Sequence, residues 1–325
     1  MRAARLLFVG VMLLAATVEA AESDPFWAWR HPPDDATRCV DRAINRGLVR
    51  GLALVNAQRP STCQEAARLL TQPLSITSHH FFRSELRRWP MDRSPSTLGD
   101  AFSFGTGPVT EFSEGSTYRN APLFPFGHWV PLDPTLRVDD VLIGPDKIGH
   151  FFTNGLRSWD RALRRDDDDD DDDDDGLRAA LLYGIEEEKG WLGFGIDGVF
   201  SFADLHAAAA GVRFFDSLCT GGGLQRHADG RWTLERPFTL ASWVDPCWDE
   251  SFQTNAFAER EAVPVRDAIR ELCPLLDDND VRARRERYRA RSCHPRTTTL
   301  LAGFVQDGIA PDPARWDIEQ ICLRP

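Results

Sequence analysis

Apolar residues between 36 and 58 recur at helical spacing, at Val40, Ala43, Ile44, Leu48, Leu52 and Leu54, and predict an amphipathic helix. Ser61 with Gln64 makes a capping-box pattern that opens a second helix through Leu70. Residues 78–89 read as a third, with Phe81, Phe82 and Leu86 inward. The stretch 90–140 is rich in Gly, Pro, Ser and Asp and reads as a long irregular connection. Pro145 suits the first position of a helix reaching residue 165, where its missing N–H is not needed. Two more helices follow, over 176–189 and 202–218, and Gly221-Gly222-Gly223 ends the second. Asp229-Gly230 between 224–227 and 231–234 signals a β-hairpin. Residues 262–273, 280–291 and 314–322 complete the helical set. The predicted fold class is mainly α, a helical bundle-like core with one small β-hairpin and long irregular connections.

Composition supports a packed chain. Of 325 residues, 42% are hydrophobic, with 10 Trp and 20 Phe, which excludes global disorder and collagen-like repeats. The formal net charge of -12 is local in origin. Ten consecutive aspartates fill 166–175; without them and without residues 1–20 the remainder stands at -3. The run lacks the spaced ligands and Gly of a calcium loop and reads as a solvated low-complexity insert. The Arg-rich stretch 282–291 surrounds a helix instead of forming one stripe, so nucleic-acid binding is not expected.

Residues 1–20 have the pattern of a secretory signal: Arg2 and Arg5, a short apolar run from Leu6 to Val18, then Ala20 and Ala21. Cleavage is expected after Ala20 or Ala21. No Cys follows, which argues against a lipoprotein, and no later segment is long and apolar enough to span a membrane. The expected location is periplasmic or extracellular. All seven cysteines lie beyond this segment and none forms a C-x-x-C pair, so structural disulfides are expected. Cys39 with Cys63 is the best pair on position alone, and two more bridges are expected among the five cysteines beyond 218.

Candidate chemistry gathers in the middle of the chain. Only two lysines occur, Lys147 and Lys189, and both fall there. Asp146, His150 and Asn154 share one helical face, and Asp204, Ala208 and Gly211 share another whose small residues allow close packing. Ser201 is placed to cap the helix that carries Asp204. Asp146, His150, Glu188 and Asp204 could hold a divalent metal, since mixed nitrogen and oxygen ligands suit zinc, manganese or iron. Alternatively His150 could act as a general base oriented by a carboxylate, with Lys147 and Ser201 as substrate contacts and Lys147 meeting an anion such as phosphate. The third reading is a buried polar network that fixes the packing of three helices. His79-His80 and Gly221-Gly222-Gly223 carry no comparable signal: adjacent residues diverge on a helix, and the Gly run lacks a phosphate loop's Lys-Ser/Thr.

Asp146-Lys147-x-Gly149-His150, a Glu after a Gly at Glu188, and Ser201-x-x-Asp204-Leu205-x-Ala207 with Gly211 resemble the core of VanZ-like and YfiM-type envelope proteins. The longer strings GVFSFADLHAAAAGVRFF and PFTLASWVDPCWDESF are similar to a group of uncharacterised exported bacterial proteins. The resemblance covers roughly 141–255. It implies an envelope location and a helical core, and it carries over Asp146, Lys147, His150, Glu188, Ser201 and Asp204. Ala208 stands where the family has Asn.

The chain therefore divides into a signal segment (1–20), an N-terminal helical region (21–140), a central three-helix core (141–220) and a hairpin with C-terminal helices (221–325), packed as one unit. The expected function is a binding or structural envelope factor without turnover, whose partner is an envelope component or a small anionic ligand. The alternative is a hydrolase-like or metal-dependent enzyme acting on a phosphorylated or lipid-linked envelope substrate.

Overall fold

The computed structural model describes residues 23–75, 116–121, 135–165, 175–190, 193–195 and 198–323. The expected signal segment, the helix at 78–89 with His79 and His80, and all of the Asp run but its last residue lie outside them. The described chain is mainly helical, with three two-stranded antiparallel sheets.

A short α1 (Trp27–Arg30) precedes α2 (Thr37–Gln58) and α3 (Cys63–Ser75). Thr62, one residue after the expected cap, accepts the Glu65 N–H at 3.2 Å. α2 and α3 form an antiparallel pair at very close range. A side chain at Gly51 would meet the Leu70 carbonyl at 1.8 Å, and one at Gly47 would meet Leu74 at 2.3 Å. These glycines are there for backbone approach.

β1 (Leu136–Val138) and β2 (Val141–Ile143) form a hairpin that the sequence pattern placed partly in an irregular connection. Its turn is Asp139-Asp140, both at positive φ (49° and 66°). Aspartate tolerates this region, but without Gly the usual hairpin signal is missing. β2 leads into α4 (Pro145–Gly149), a π-helical turn (His150–Asn154) and α5 (Gly155–Arg165), an unbroken helical path over the predicted span. α6 (Asp175–Lys189) packs on α5.

β3 (Val199–Phe200) pairs with β6 (Ala256–Phe257), and between them runs α7 (Phe202–Cys219). α7 is buried on nearly every face from Phe202 to Val212. It contributes Ala207, Ala210, Phe214 and Phe215 to one core, with Phe151, Phe152, Phe238 and Trp248. It contributes Phe202, Leu205 and Ala209 to another, with Ile185, Phe200, Ile269 and Trp316. A helix enclosed on all sides belongs at the centre of a fold. α4, the π turn, α5 and α6 all contact it. The expected hairpin is β4 (Leu224–Arg226) with β5 (Trp232–Leu234). α8 (Glu259–Arg270), α9 (Asn279–Arg291), α10 (Pro295–Gln306) and α11 (Ile318–Leu323) follow, of which α10 had no counterpart in the sequence reading.

Three disulfides join Cys63–Cys219, Cys247–Cys293 and Cys273–Cys322. This corrects the Cys39–Cys63 pairing. Cys39 sits in the first turn of α2 and Cys63 opens α3 beyond its far end. The intervening helix separates them by about 28 Å at 1.5 Å per residue, against the ~7 Å a disulfide allows. Cys39 belongs to none of the three bonds.

Candidate functional site

Gly144 leaves β2 in an extended conformation and Pro145 starts α4, which puts Asp146 and Lys147 on its first turn. A side chain at Gly144 would collide with Asp146 Oδ1 at 1.9 Å and Ser23 Oγ at 2.2 Å, so the backbone lies directly against these groups. His150 opens the π turn, a deviation that recurs at functional sites and here re-aims one residue of the helix. Its Nδ1 lies 3.0 Å from Asn154 Nδ2. Opposite, Ser201 Oγ caps α7 by accepting the Asp204 N–H at 3.2 Å, as its sequence position predicted.

These elements converge on Lys147. Its ammonium is fully buried. It reaches Asp146 Oδ2 at 2.5 Å, Glu250 Oε1 at 2.5 Å and Asp204 Oδ1 at 2.6 Å. His150 Nε2 lies 3.3 Å from the other Asp204 oxygen. Ser201 donates its hydroxyl to Glu250 Oε1 at 2.9 Å, and its backbone N–H to Glu188 Oε2 at 3.2 Å. His150 is the most accessible member, with 18% of its side chain exposed.

One ammonium against three carboxylates leaves an excess of negative charge in a sealed place. Burial pushes the Glu250 carboxyl up to about 7, against the pull of Lys147 and helped by Asp146 and Asp204. Burial also raises Asp146, with Lys147 opposing. At Asp204 burial acts upward too, but His150, Lys147 and Ser201 outweigh it and hold the group below the ordinary carboxylate range. The arrangement can therefore store a proton on Glu250 near neutral pH while Asp204 stays ionised.

The structure brings together Asp146, Lys147, His150, Ser201 and Asp204. Glu188 stands one step away, joined through Ser201. Lys147 and Ser201 were expected to contact a substrate. Instead Lys147 faces three carboxylates of the chain itself, and Ser201 is a buried cap and donor. Asp146, His150 and Asp204 each offer a ligand atom within 4.8 Å of the others; Glu188 is not in this group. A second cluster, His206, Asp245 and Cys247, has similar spacing, but Cys247 is in a disulfide and has no thiolate to give. Burial holds His206 down at about 3, so its imidazole is neutral.

Sequence reasoning missed Glu250. It is separated from Lys147 by 103 positions and sits in an irregular segment after a 3-10 turn (Pro246–Trp248), where no periodicity marks an inward face. Its neighbours are equally enclosed. Asp249 accepts from the Ser251 hydroxyl at 2.6 Å and from the Tyr288 hydroxyl at 3.0 Å, and Trp29 Nε1 donates to Ser251 Oγ at 3.0 Å. The run of acidic and polar residues in this segment was the available signal. The chain matches no protein-family model, no curated protein and no solved structure.

Proposed function

We propose that this chain is an exported protein of the bacterial cell envelope, of the VanZ-like and YfiM-type pattern, whose polar centre locks its helices together without turning over a substrate. The export pattern of residues 1–20 and the three disulfides support the location. The observation that carries the non-catalytic reading is the enclosure of Lys147: its ammonium, with no side-chain surface exposed, hydrogen-bonds Asp146 and Glu250 and pairs with Asp204, all at 2.5–2.6 Å. Such an ammonium has nothing left to offer a phosphorylated ligand. Separating it from a carboxylate would strand a buried charge, at a cost of about 3–5 kcal/mol. α4, α7 and the Glu250 segment are thereby held in one arrangement.

A second reading, a metal-dependent enzyme, is favoured by Asp146, His150 and Asp204 lying within 4.8 Å of one another. Chelation separates the two. A lock made of protein groups predicts purified protein with substoichiometric zinc, manganese and iron by elemental analysis, and an unfolding temperature that EDTA does not move. A stoichiometric metal whose removal lowers that temperature, and which a His150→Ala variant fails to retain, would overturn the lock and establish the metal centre.

A further inference from the structure

A second set of metal-ligating residues lies outside the Lys147 cluster. His206 begins the second turn of α7, Asp245 caps the 3-10 turn at Pro246–Trp248, and Cys247 lies within that turn. Each offers a ligand atom within 4.8 Å of the others. In the disulfide-bonded form the set is incomplete, because the Cys247 sulfur is bonded to Cys293. The other two members are already in place. His206 is 3% exposed, and its Nδ1 has no hydrogen-bond partner among the described residues. A buried polar atom left unmet costs about 1–3 kcal/mol, which a ligand at this position would relieve. Asp245 is held by the Cys247 and His294 N–H groups, which donate to its two oxygens at 2.9 and 3.1 Å. Each oxygen keeps a lone pair for a further partner.

The disulfide has one approachable end. Cys247 is buried, whereas Cys293 is half-buried and follows the exposed Ser292. A dithiol reductant attacks the Cys293 sulfur, and Cys247 leaves as the thiolate. The second thiol of the reductant then displaces Cys293. The reductant ends as a disulfide, one of its protons passes to Cys293 and the other to solvent. Reduction thus adds a negative charge beside Asp245. Two cations lie near that carboxylate and both have other partners: Arg213 donates to Thr297 Oγ1 at 3.1 Å, and Arg291 pairs with Asp139 at 2.8 Å. A thiolate, an imidazole and a carboxylate suit zinc, whereas calcium and magnesium take oxygen ligands.

We propose that the Cys247–Cys293 bond gates a zinc site: once a dithiol reduces it, Cys247 Sγ, a ring nitrogen of His206 and a carboxylate oxygen of Asp245 take up one zinc ion, with water in the fourth position. The site shares no residue with the Lys147 cluster, so the lock can hold or fail without it.

The test uses cobalt(II), a coloured substitute for zinc, on the whole mature protein. Cys293→Ser leaves Cys247 as a thiol without any reductant and with the other two disulfides formed. It should bind about one equivalent of cobalt more than wild type and show a sulfur-to-cobalt charge-transfer band that zinc abolishes. Wild type carries the same Cys39, Asp146, His150 and Asp204, so the comparison subtracts any metal held there. Cys247→Ser combined with Cys293→Ser lacks both the bond and the sulfur ligand, and should bind no more than wild type. Asp245→Asn in the Cys293→Ser background should weaken cobalt about tenfold or more. Should Cys293→Ser fold poorly, wild type is reduced with a phosphine and freed of it; zinc should then slow alkylation of Cys247, read by peptide mass, and leave Cys293 reactive. No excess cobalt in folded Cys293→Ser, no zinc protection of Cys247 in reduced wild type, or an undiminished band in the double variant would overturn the proposal. Unchanged affinity in Asp245→Asn, or equal protection of the two cysteines, would overturn the ligand set.

Discussion

At the scale of single residues, Glu250 adds a pH dependence of its own to the fold's stability. Its carboxyl titrates near 7 in the folded chain and near its ordinary 4.5 when unfolded. Between those values the folded state holds the extra proton. The stability this contributes is fully present below about pH 4.5 and is lost as pH rises through 7. Asp146, also raised, acts in the same sense; Asp204, held low, acts in the opposite sense, its contribution being lost as pH falls. Glu250→Gln removes the titrating group and keeps the shape. Urea unfolding at a series of pH values should show wild type losing stability relative to this variant between about pH 5 and 8, by on the order of 2–3 kcal/mol. Parallel profiles would mean that Glu250 keeps an ordinary carboxyl. Asp146, His150, Ser201 and Asp204 could be read from the sequence because helix spacing and the Ser201 cap report direction, and Lys147 because it is one of only two lysines. Glu250 could not, because a side chain in an irregular segment has its direction set by the tertiary fold alone.

At the scale of elements, the central packing rests on two glycines facing each other across α5 and α7. A side chain at Gly211 would lie 2.0 Å from the Phe151 carbonyl oxygen, and one at Gly155 would lie 2.8 Å from the Gly211 Cα. These are backbone atoms and cannot turn aside. Gly211→Ala should therefore cost about 3 kcal/mol or more in denaturant unfolding, at the upper end of overpacking effects. Gly303 in α10 gives the contrast: nothing lies within 4 Å of its missing Cβ. Gly303→Ala should stabilise by about 0.5–1 kcal/mol through helix propensity alone. Equal effects at the two positions would remove the close-approach argument. Sequence reading located α4, α5, α6 and α7 because Pro145, Ser201 and the apolar spacing act locally. It missed α10, whose cap is His294, outside the usual Ser, Thr, Asp and Asn set. It missed the β1–β2 hairpin because two aspartates supply the positive-φ turn. The Cys39–Cys63 pairing fails because the length of α2 exceeds the reach of a cystine.

At the scale of the whole molecule, the poly-Asp run dominates the charge and should matter little to the fold. It connects α5, which ends at Arg165, to α6, which begins at Asp175, and these two helices pack on each other and on α7. Each buries apolar residues of its own, Trp159 and Ala162 on α5 and Leu177 and Leu181 on α6, so the connection has only to close. Loop-closure entropy varies with the logarithm of length, and a change of a few residues inside the 156-residue separation spanned by Cys63–Cys219 is worth well under ~0.5 kcal/mol. Replacing residues 166–174 by a Gly-Ser linker of equal length removes nine like charges that repel one another. The unfolding temperature should then stay the same or rise by about a degree at low salt, and the difference should vanish at ~0.5 M salt, where the screening length is a few ångströms. A cooperative transition lost on replacement, or an unfolding temperature lowered at every salt concentration, would show that the aspartates are tied into the fold. A near-neutral remainder would then no longer be enough to account for how this chain holds together.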